Sequence, residues 1–280
     1  MTNEFGQNQR RAPGRAMMRS GSGEPVVLLH GVTGSAKMWR RVIPLLEPHY
    51  DTIALNALGH RGGRPGIAGA TVQDLVDDAE RSLDELGFDR PHLIGNSLGG
   101  WMAIELARRG RAAGVCALSP AGCWDASAGE HLPGAAKLRK AINLARRTRP
   151  IMPWASRLSL VRRIALRDIA VHGGRVTPDE MLDIVDDLLA CTVREEMLTT
   201  EEEVAPLDPL PCPVVLAWSE RDRILPISTI GARARILMPQ AAWRVISGVG
   251  HVPMFDDPSL VAAVIRDFIE MSLSNPESRG

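Results

Sequence analysis

At 280 residues with 45% hydrophobic side chains, the chain is long enough to bury a sizeable core, so one large domain or one domain carrying an insertion is expected. Lys plus Arg equals Asp plus Glu at 33 each, which removes any bulk electrostatic reason to expect nucleic acid or an anionic membrane as partner. The N-terminus lacks the apolar core of a signal peptide, no run approaches the roughly 20 apolar residues of a membrane span, and Cys116, Cys123, Cys191 and Cys212 have neither metal nor redox spacing, which together predict a cytoplasmic protein with buried thiols.

Residues 1–23 are polar and aperiodic and read as a flexible tail or a frayed first strand, with the ordered chain beginning near Glu24. From there, short β-branched runs alternate with amphipathic stretches: "PVVLLHG", then Lys37 to Glu47; "DTIALNAL", then Thr71 to Gly87; "PHLIGNS", then Leu98 to Arg109; "GVCALSP". Continuous apolar runs mark strands covered on both faces, hence an α/β fold with a mostly parallel central sheet and helices on each side. The alternation stops for some ninety residues and resumes with "CPVVLAW", a helix from Ile227 to Leu237, "WRVISG" and a last helix from Pro258 to Met271. A crossover helix fills only part of that gap, so residues 124–203 are expected to be a helical insertion between core segments 24–123 and 204–275. Within it, Thr177, Pro178 and Glu180 have the spacing of a capping box with proline at the first helical position.

"HLIGNSLGGW" carries the chemistry. A strand ending at Gly95 and a helix starting at Leu98 leave a tight turn with Ser97 at its apex, and Gly95 and Gly99 relieve the crowding there. The turn aims the Leu98 amide at the same point, where it can stabilise negative charge. A serine hydroxyl needs a base, and the base needs an orienting acid. Downstream, "WSERDRILP" and "SGVGHVPMFDDP" place Asp222 and His251 after successive strands, with Glu220 as the rival acid. Upstream, "LLHGVTG" offers the Val32 amide as a second donor, and His30 is expected to tie that turn.

"HGVTG", "GNSLGG", "ERDRILP" and "GHVP", in this order, resemble the α/β-hydrolase fold family from about Glu24 to Ser272. The resemblance implies an eight-stranded sheet, a Ser97–His251–Asp222 triad, an oxyanion hole from Val32 and Leu98, and a lid inserted after the sixth strand. The chain departs from many relatives at "NALGHRGG", where Asn56 stands for Asp and Arg61 displaces a glycine. Serine at position 97 separates it from the carboxylate chemistry of haloalkane dehalogenases and epoxide hydrolases.

The expected function is therefore hydrolysis of a small or medium carboxylic ester or lactone through an acyl-enzyme, with no cofactor and no metal. Two alternatives stand beside it: hydrolysis of carbon–carbon bonds in ring-cleavage products, against which Val252 replaces the usual tryptophan, and a ligand-binding receptor on the same fold. Trp124, Met152, Trp154 and Val252 are the expected pocket contacts. His60, His131 and His172 are scattered and suggest no metal site, and Cys123 reads as pocket lining or core. The insertion divides by charge, with eleven Lys or Arg against three acids over 124–175 and one Arg against ten acids over 176–203. That division predicts two mutually attracting halves, or a basic rim for an anionic substrate or phospholipid surface.

Overall fold

The computed structural model describes residues 17–130 and 132–274, so His131 lies outside the described range. Seven strands form one sheet: β1 (Met18–Ser20), β2 (Glu24–Leu29), β3 (Tyr50–Leu55), β4 (His92–Asn96), β5 (Gly114–Leu118), β6 (Val214–Ser219) and β7 (Ala242–Ile246). Their order is β1-β3-β2-β4-β5-β6-β7. All neighbours are parallel except β1 and β3. Every residue of β3, β4, β5 and β6 is buried, as strands covered on both faces require, whereas edge strand β7 keeps most of its residues accessible.

Two expectations are corrected here. The sheet has seven strands among the described residues, not eight, and the long excursion follows the fifth of them, not the sixth. In addition, the segment 1–23, read as a flexible tail or a frayed first strand, holds an antiparallel edge strand at Met18–Ser20 that pairs Met18 with Ala54, its residues 1–16 lying outside the described range. Arg19 there donates to Asp51 on β3 at 2.9 Å and stacks over Phe88, contacts too distant in sequence for any local pattern to show.

Ahead of the crossover to β3, the expected Lys37–Glu47 helix is broken into a 3₁₀ turn at Ala36–Trp39 and the short α1 (Ile43–Leu46), because Pro44 lacks an amide and fits only the first turn of a new helix. α2 (Val72–Leu86) and α3 (Leu98–Arg108) follow; Thr71 and Asp74 close a capping box on α2. The excursion holds α4 (Ala135–Thr148), α5 (Met152–Ala155), α6 (Ser159–Ala165), α7 (Pro178–Ala190) and α8 (Arg194–Leu198). Thr177 and Glu180 cap α7 reciprocally. A wide π turn at Ile227–Gly231 precedes α9 (Ala232–Leu237), and α10 (Pro253–Asp256) and α11 (Pro258–Ser274) follow β7.

The strand order reverses between β2 and β4, which pair Leu29 with Gly95. At such a switch point the connections leave in opposite directions and open a crevice beyond the carboxyl ends of the strands. The loop after β2 carries Val32, and the turn after β4 carries Ser97.

Candidate active site

Ser97 sits between β4 and α3 at φ 56° and ψ −118°, a conformation that ordinarily costs on the order of 1–3 kcal/mol and is held by its surroundings. Its N–H donates to Leu118 on β5 at 3.0 Å, and its carbonyl accepts from Ala121 and Trp101. The turn is too close for side chains on either flank. A Cβ at position 95 would lie 2.0 Å from the carbonyl oxygen of Gly99, and one at position 99 would lie 2.3 Å from that of Leu29. Only glycine avoids both clashes.

The opposite loop forms a turn closed by Gly34 N–H to Gly31 O at 3.0 Å, with Thr33 at φ 63°. His30 ties it: Nδ1 lies 2.8 Å from the Gly31 carbonyl, and Nε2 accepts from Ala57 N–H at 3.1 Å. Among the described residues, neither Val32 nor Leu98 donates its backbone amide to another protein group, so both amides remain available at the crevice. Asn56 also serves this loop, accepting from Ala36 N–H at 2.7 Å.

His251 follows β7 and reaches back to Asp222 after β6. Its Nδ1 lies 2.7 Å from Asp222 Oδ2, both residues being buried. The other carboxylate oxygen accepts from the amides of Ile224 and Leu225 at 2.9 and 2.8 Å, which fixes the carboxylate plane. Glu220, the rival acid, instead accepts from Gly248 N–H at 2.7 Å. With Nδ1 directed at Asp222, Nε2 is the ring nitrogen left outside that contact.

Ser97 and His251 border one cavity of about 190 Å³. Its wall is mostly apolar, with Leu138, Met152, Ile169, Val185, Val252 and Phe255 among its residues. The expected contacts Met152 and Val252 lie on it, but Trp124 and Trp154 do not. Trp124 is buried elsewhere, edge-on to Trp101 and donating to the Glu202 carbonyl at 3.0 Å. Trp154 is 66% exposed to solvent. Cys123 is buried core, its thiol pushed up to about 12 by burial. No group of three or more His, Cys, Asp or Glu among the described residues is arranged to hold a metal.

Three polar residues that sequence patterns did not single out organise this site. Asn96 Nδ2 donates to the carbonyls of Leu118 (3.1 Å) and His251 (2.9 Å). Asp256, buried in α10, accepts from the amides of Gly250, Val171 and His172, joining the histidine loop to the inserted segment. Asp187 of α7 borders the cavity, where Ser35 Oγ donates to it at 2.5 Å and Arg61 at 3.1 Å. Burial raises the Asp187 pKa above the ordinary value, against the opposing effect of Ser35 and Arg61. Arg61, which displaces a glycine in the sequence, thus serves to hold α7.

The inserted halves do not chiefly attract each other. Most acids of α7 turn to cations of the core: Asp183 pairs with Lys37, Arg40 and Arg61, and Glu180 with Arg41. Arg149 with Asp186 and Arg139 with Glu195 join the two halves.

Residues 26–264 match the sequence model of the alpha/beta hydrolase family. The chain is 35% identical over 202 residues to the epoxide hydrolase EphH of Mycobacterium tuberculosis, covering 70% of this chain and 94% of that one. Among solved structures it is similar to a thermophilic esterase from Thermogutta terrifontis, with TM-score 0.68 and 24% identity over 94% of this chain and 96% of that one. It is likewise similar to a 2-hydroxy-6-oxo-6-phenylhexa-2,4-dienoate hydrolase of Rhodococcus sp. strain RHA1, with TM-score 0.71 and 18% identity over 91% and 94% of the respective chains. Both structural likenesses concern the fold.

Proposed function

The chain belongs to the alpha/beta hydrolase family, and we propose that within it this protein is a serine hydrolase of small or medium carboxylic esters or lactones with an apolar acyl group. The observation that carries this reading is the 2.7 Å contact between His251 Nδ1 and Asp222, on a histidine that shares its cavity with Ser97. In this reading Ser97 Oγ attacks the acyl carbon while His251 Nε2 takes its proton. The oxyanion so formed accepts hydrogen bonds from Val32 and Leu98. The intermediate collapses as His251 protonates the departing alcohol, leaving an acyl-serine. His251 then deprotonates water, which attacks the ester and restores Ser97. The apolar wall contributed by residues 124–203 serves as lid and acyl pocket over core segments 24–123 and 204–275. The four free, buried thiols support a reducing, cytoplasmic setting.

The relationship to an epoxide hydrolase does not redirect this reading. A carboxylate that opens an epoxide forms an ester, which water can cleave. A serine that did so would form an ether, which an imidazole-activated water does not hydrolyse. Carbon–carbon hydrolysis can use the same serine and histidine, but Val252 gives an aliphatic contact where a ring-cleavage enzyme usually stacks an indole. Labelling the protein with a fluorophosphonate, mapping the adduct, and measuring turnover on esters of graded chain length tests the proposal. An adduct on Ser97 with a turnover burst supports it, and binding of esters without turnover would make the protein a receptor.

A further inference from the structure

We propose that the outer face of α4, α5 and α6 is a docking surface for an anionic phospholipid bilayer. Six of the eleven exposed large apolar side chains among the described residues fall within this short stretch: Leu144, Ile151, Trp154, Leu158, Leu160 and Ile164, each more than half exposed. Single exposed apolar residues are ordinary, but a concentration of this kind marks an interaction surface.

α6 shows the inversion most clearly. Its Arg162 is buried, donating to the carbonyls of Ser156, Arg157 and Gly174, while Leu160 and Ile164 of the same helix point to solvent. A helix that buried its apolar face against the core would have the opposite arrangement.

The segment that forms this face carries charge of one sign, with Asp168 following it directly and Asp186 and Glu195 of the neighbouring segment pairing with Arg149 and Arg139. No acid occurs from 132 to 167. Lys140, Arg146, Arg147, Arg157, Arg163 and Arg167 are exposed, and none forms an ion pair with another described residue. The balanced total charge of the chain conceals this local excess. Aliphatic side chains and a tryptophan among unpaired arginines suit a lipid interface, with the apolar groups entering the acyl boundary and the guanidinium groups meeting lipid phosphates. A second copy of this chain fits poorly, because a two-fold contact would set these cations against their own images. The cavity reaches the same face, since Leu144 both lines it and is exposed. That an acyl ester enters from the bilayer beside Leu144 rests on the ester reading above; the docking itself does not.

The test uses the full chain carrying Ser97→Ala, so that it is independent of chemistry, sedimented with vesicles of phosphatidylglycerol or of phosphatidylcholine. Binding to phosphatidylglycerol should be at least roughly tenfold tighter and should weaken with added salt. Joint replacement Arg146→Glu, Arg147→Glu and Arg163→Glu should remove the lipid preference, and Trp154→Ser should weaken binding to both lipids. Trp39, Trp101, Trp124 and Trp218 are buried, and the half-buried Trp243 lies outside this face on β7, packed against Trp218 and Arg235, so a blue shift of indole emission on vesicles should largely vanish in Trp154→Phe. With Ser97 restored, the charge variant should hydrolyse a soluble short ester as the parent does, which separates failure of docking from failure of the hydrolase reading. Equal affinity for both lipids, absence of binding, or a concentration-dependent dimer that Trp154→Ser dissociates would overturn the proposal.

Discussion

Asn96 Nδ2 donates to the backbone carbonyl of His251 at 2.9 Å, so the residue beside Ser97 holds the main chain of a histidine 155 positions away. The same amide holds Leu118 O at 3.1 Å, so the ends of β4 and β5 and the loop after β7 meet on one side chain. This relationship sets where the histidine stands relative to the serine, without either bond touching a substrate.

Asn96→Leu, which keeps the volume and deletes both donations, is therefore expected to displace the histidine loop and leave the buried His251 carbonyl unpaired, whereas the Leu118 carbonyl keeps the Ser97 N–H. We expect kcat on an aryl ester to fall by roughly 10- to 100-fold with KM changed little, as for loss of alignment and not of binding. Steady-state kinetics on folded protein, checked by circular dichroism, decides it; an unchanged kcat removes Asn96 from the positioning of His251.

The two candidate acids differ in what they hold. Asp222 faces the histidine ring and is fixed by two backbone amides, whereas Glu220 caps the turn at Gly248. Asp222→Asn should lower kcat on the order of 10³- to 10⁴-fold by offering the wrong tautomer partner. Glu220→Gln should leave activity within a few-fold and act on loop stability. Reversal of these two effects would move the acid to Glu220.

The serine turn, the order of the three motifs and the capping box of α7 were legible in the sequence because each depends on residues a few positions apart. Gly95 and Gly99 announce a backbone crossing that the structure then shows as clashes with Gly99 and Leu29 carbonyls. That Trp124 and Trp154 do not line the cavity was not legible, because hydrophobicity alone says neither that Trp124 packs on Trp101 nor which side of the helix carrying Trp154 faces inward. "MPWASRLSL" carries no period that separates an inward Met152 from an outward Trp154. Asp256 and Asp187 were invisible for a different reason: their partners, Val171 and Ser35, lie far away in the chain, and an acid near a loop reads as solvated until those partners are known.

Acidification should destabilise the fold through buried imidazoles. Burial pushes His60 and His92 down to about 4 from an ordinary 6.5. In the native state each is neutral through this range, while the unfolded chain takes up protons as pH falls below about 6.5. The histidine contribution to stability should therefore be full above that value, decline toward pH 4 and level off below, with His60 supplying on the order of 2–3 kcal/mol of the decline. Melting temperatures measured between pH 7.5 and 4.5 test this, and His60→Asn should show a shallower decline than the parent. An identical slope in that variant would mean that His60 does not titrate on unfolding as described.

The final prediction separates ester hydrolysis from epoxide opening, the activity in the name of the relative that is 35% identical. The two chemistries place different demands on one atom. Ester cleavage needs a nucleophile whose covalent product is again an acyl ester, so a serine at position 97 regenerates when His251 delivers water to the carbonyl. Epoxide opening through a covalent intermediate needs a carboxylate at that position, since its alkyl-enzyme is cleaved at the enzyme's own carbonyl carbon, and serine has none. The surrounding parts, His251 with Asp222 and the amides of Val32 and Leu98, suit either scheme and do not discriminate. We expect the purified protein to hydrolyse a short-chain aryl ester with kcat/KM at least about 10²-fold above that for an aryl epoxide in the same buffer, a difference of roughly 2.7 kcal/mol in transition-state binding. Ser97→Ala should abolish the ester activity, and any residual epoxide opening should be unaffected by that change. Epoxide turnover that equals ester turnover and depends on Ser97 would refute the acyl-enzyme scheme, because it would require a cleavable covalent bond that a serine ether does not provide.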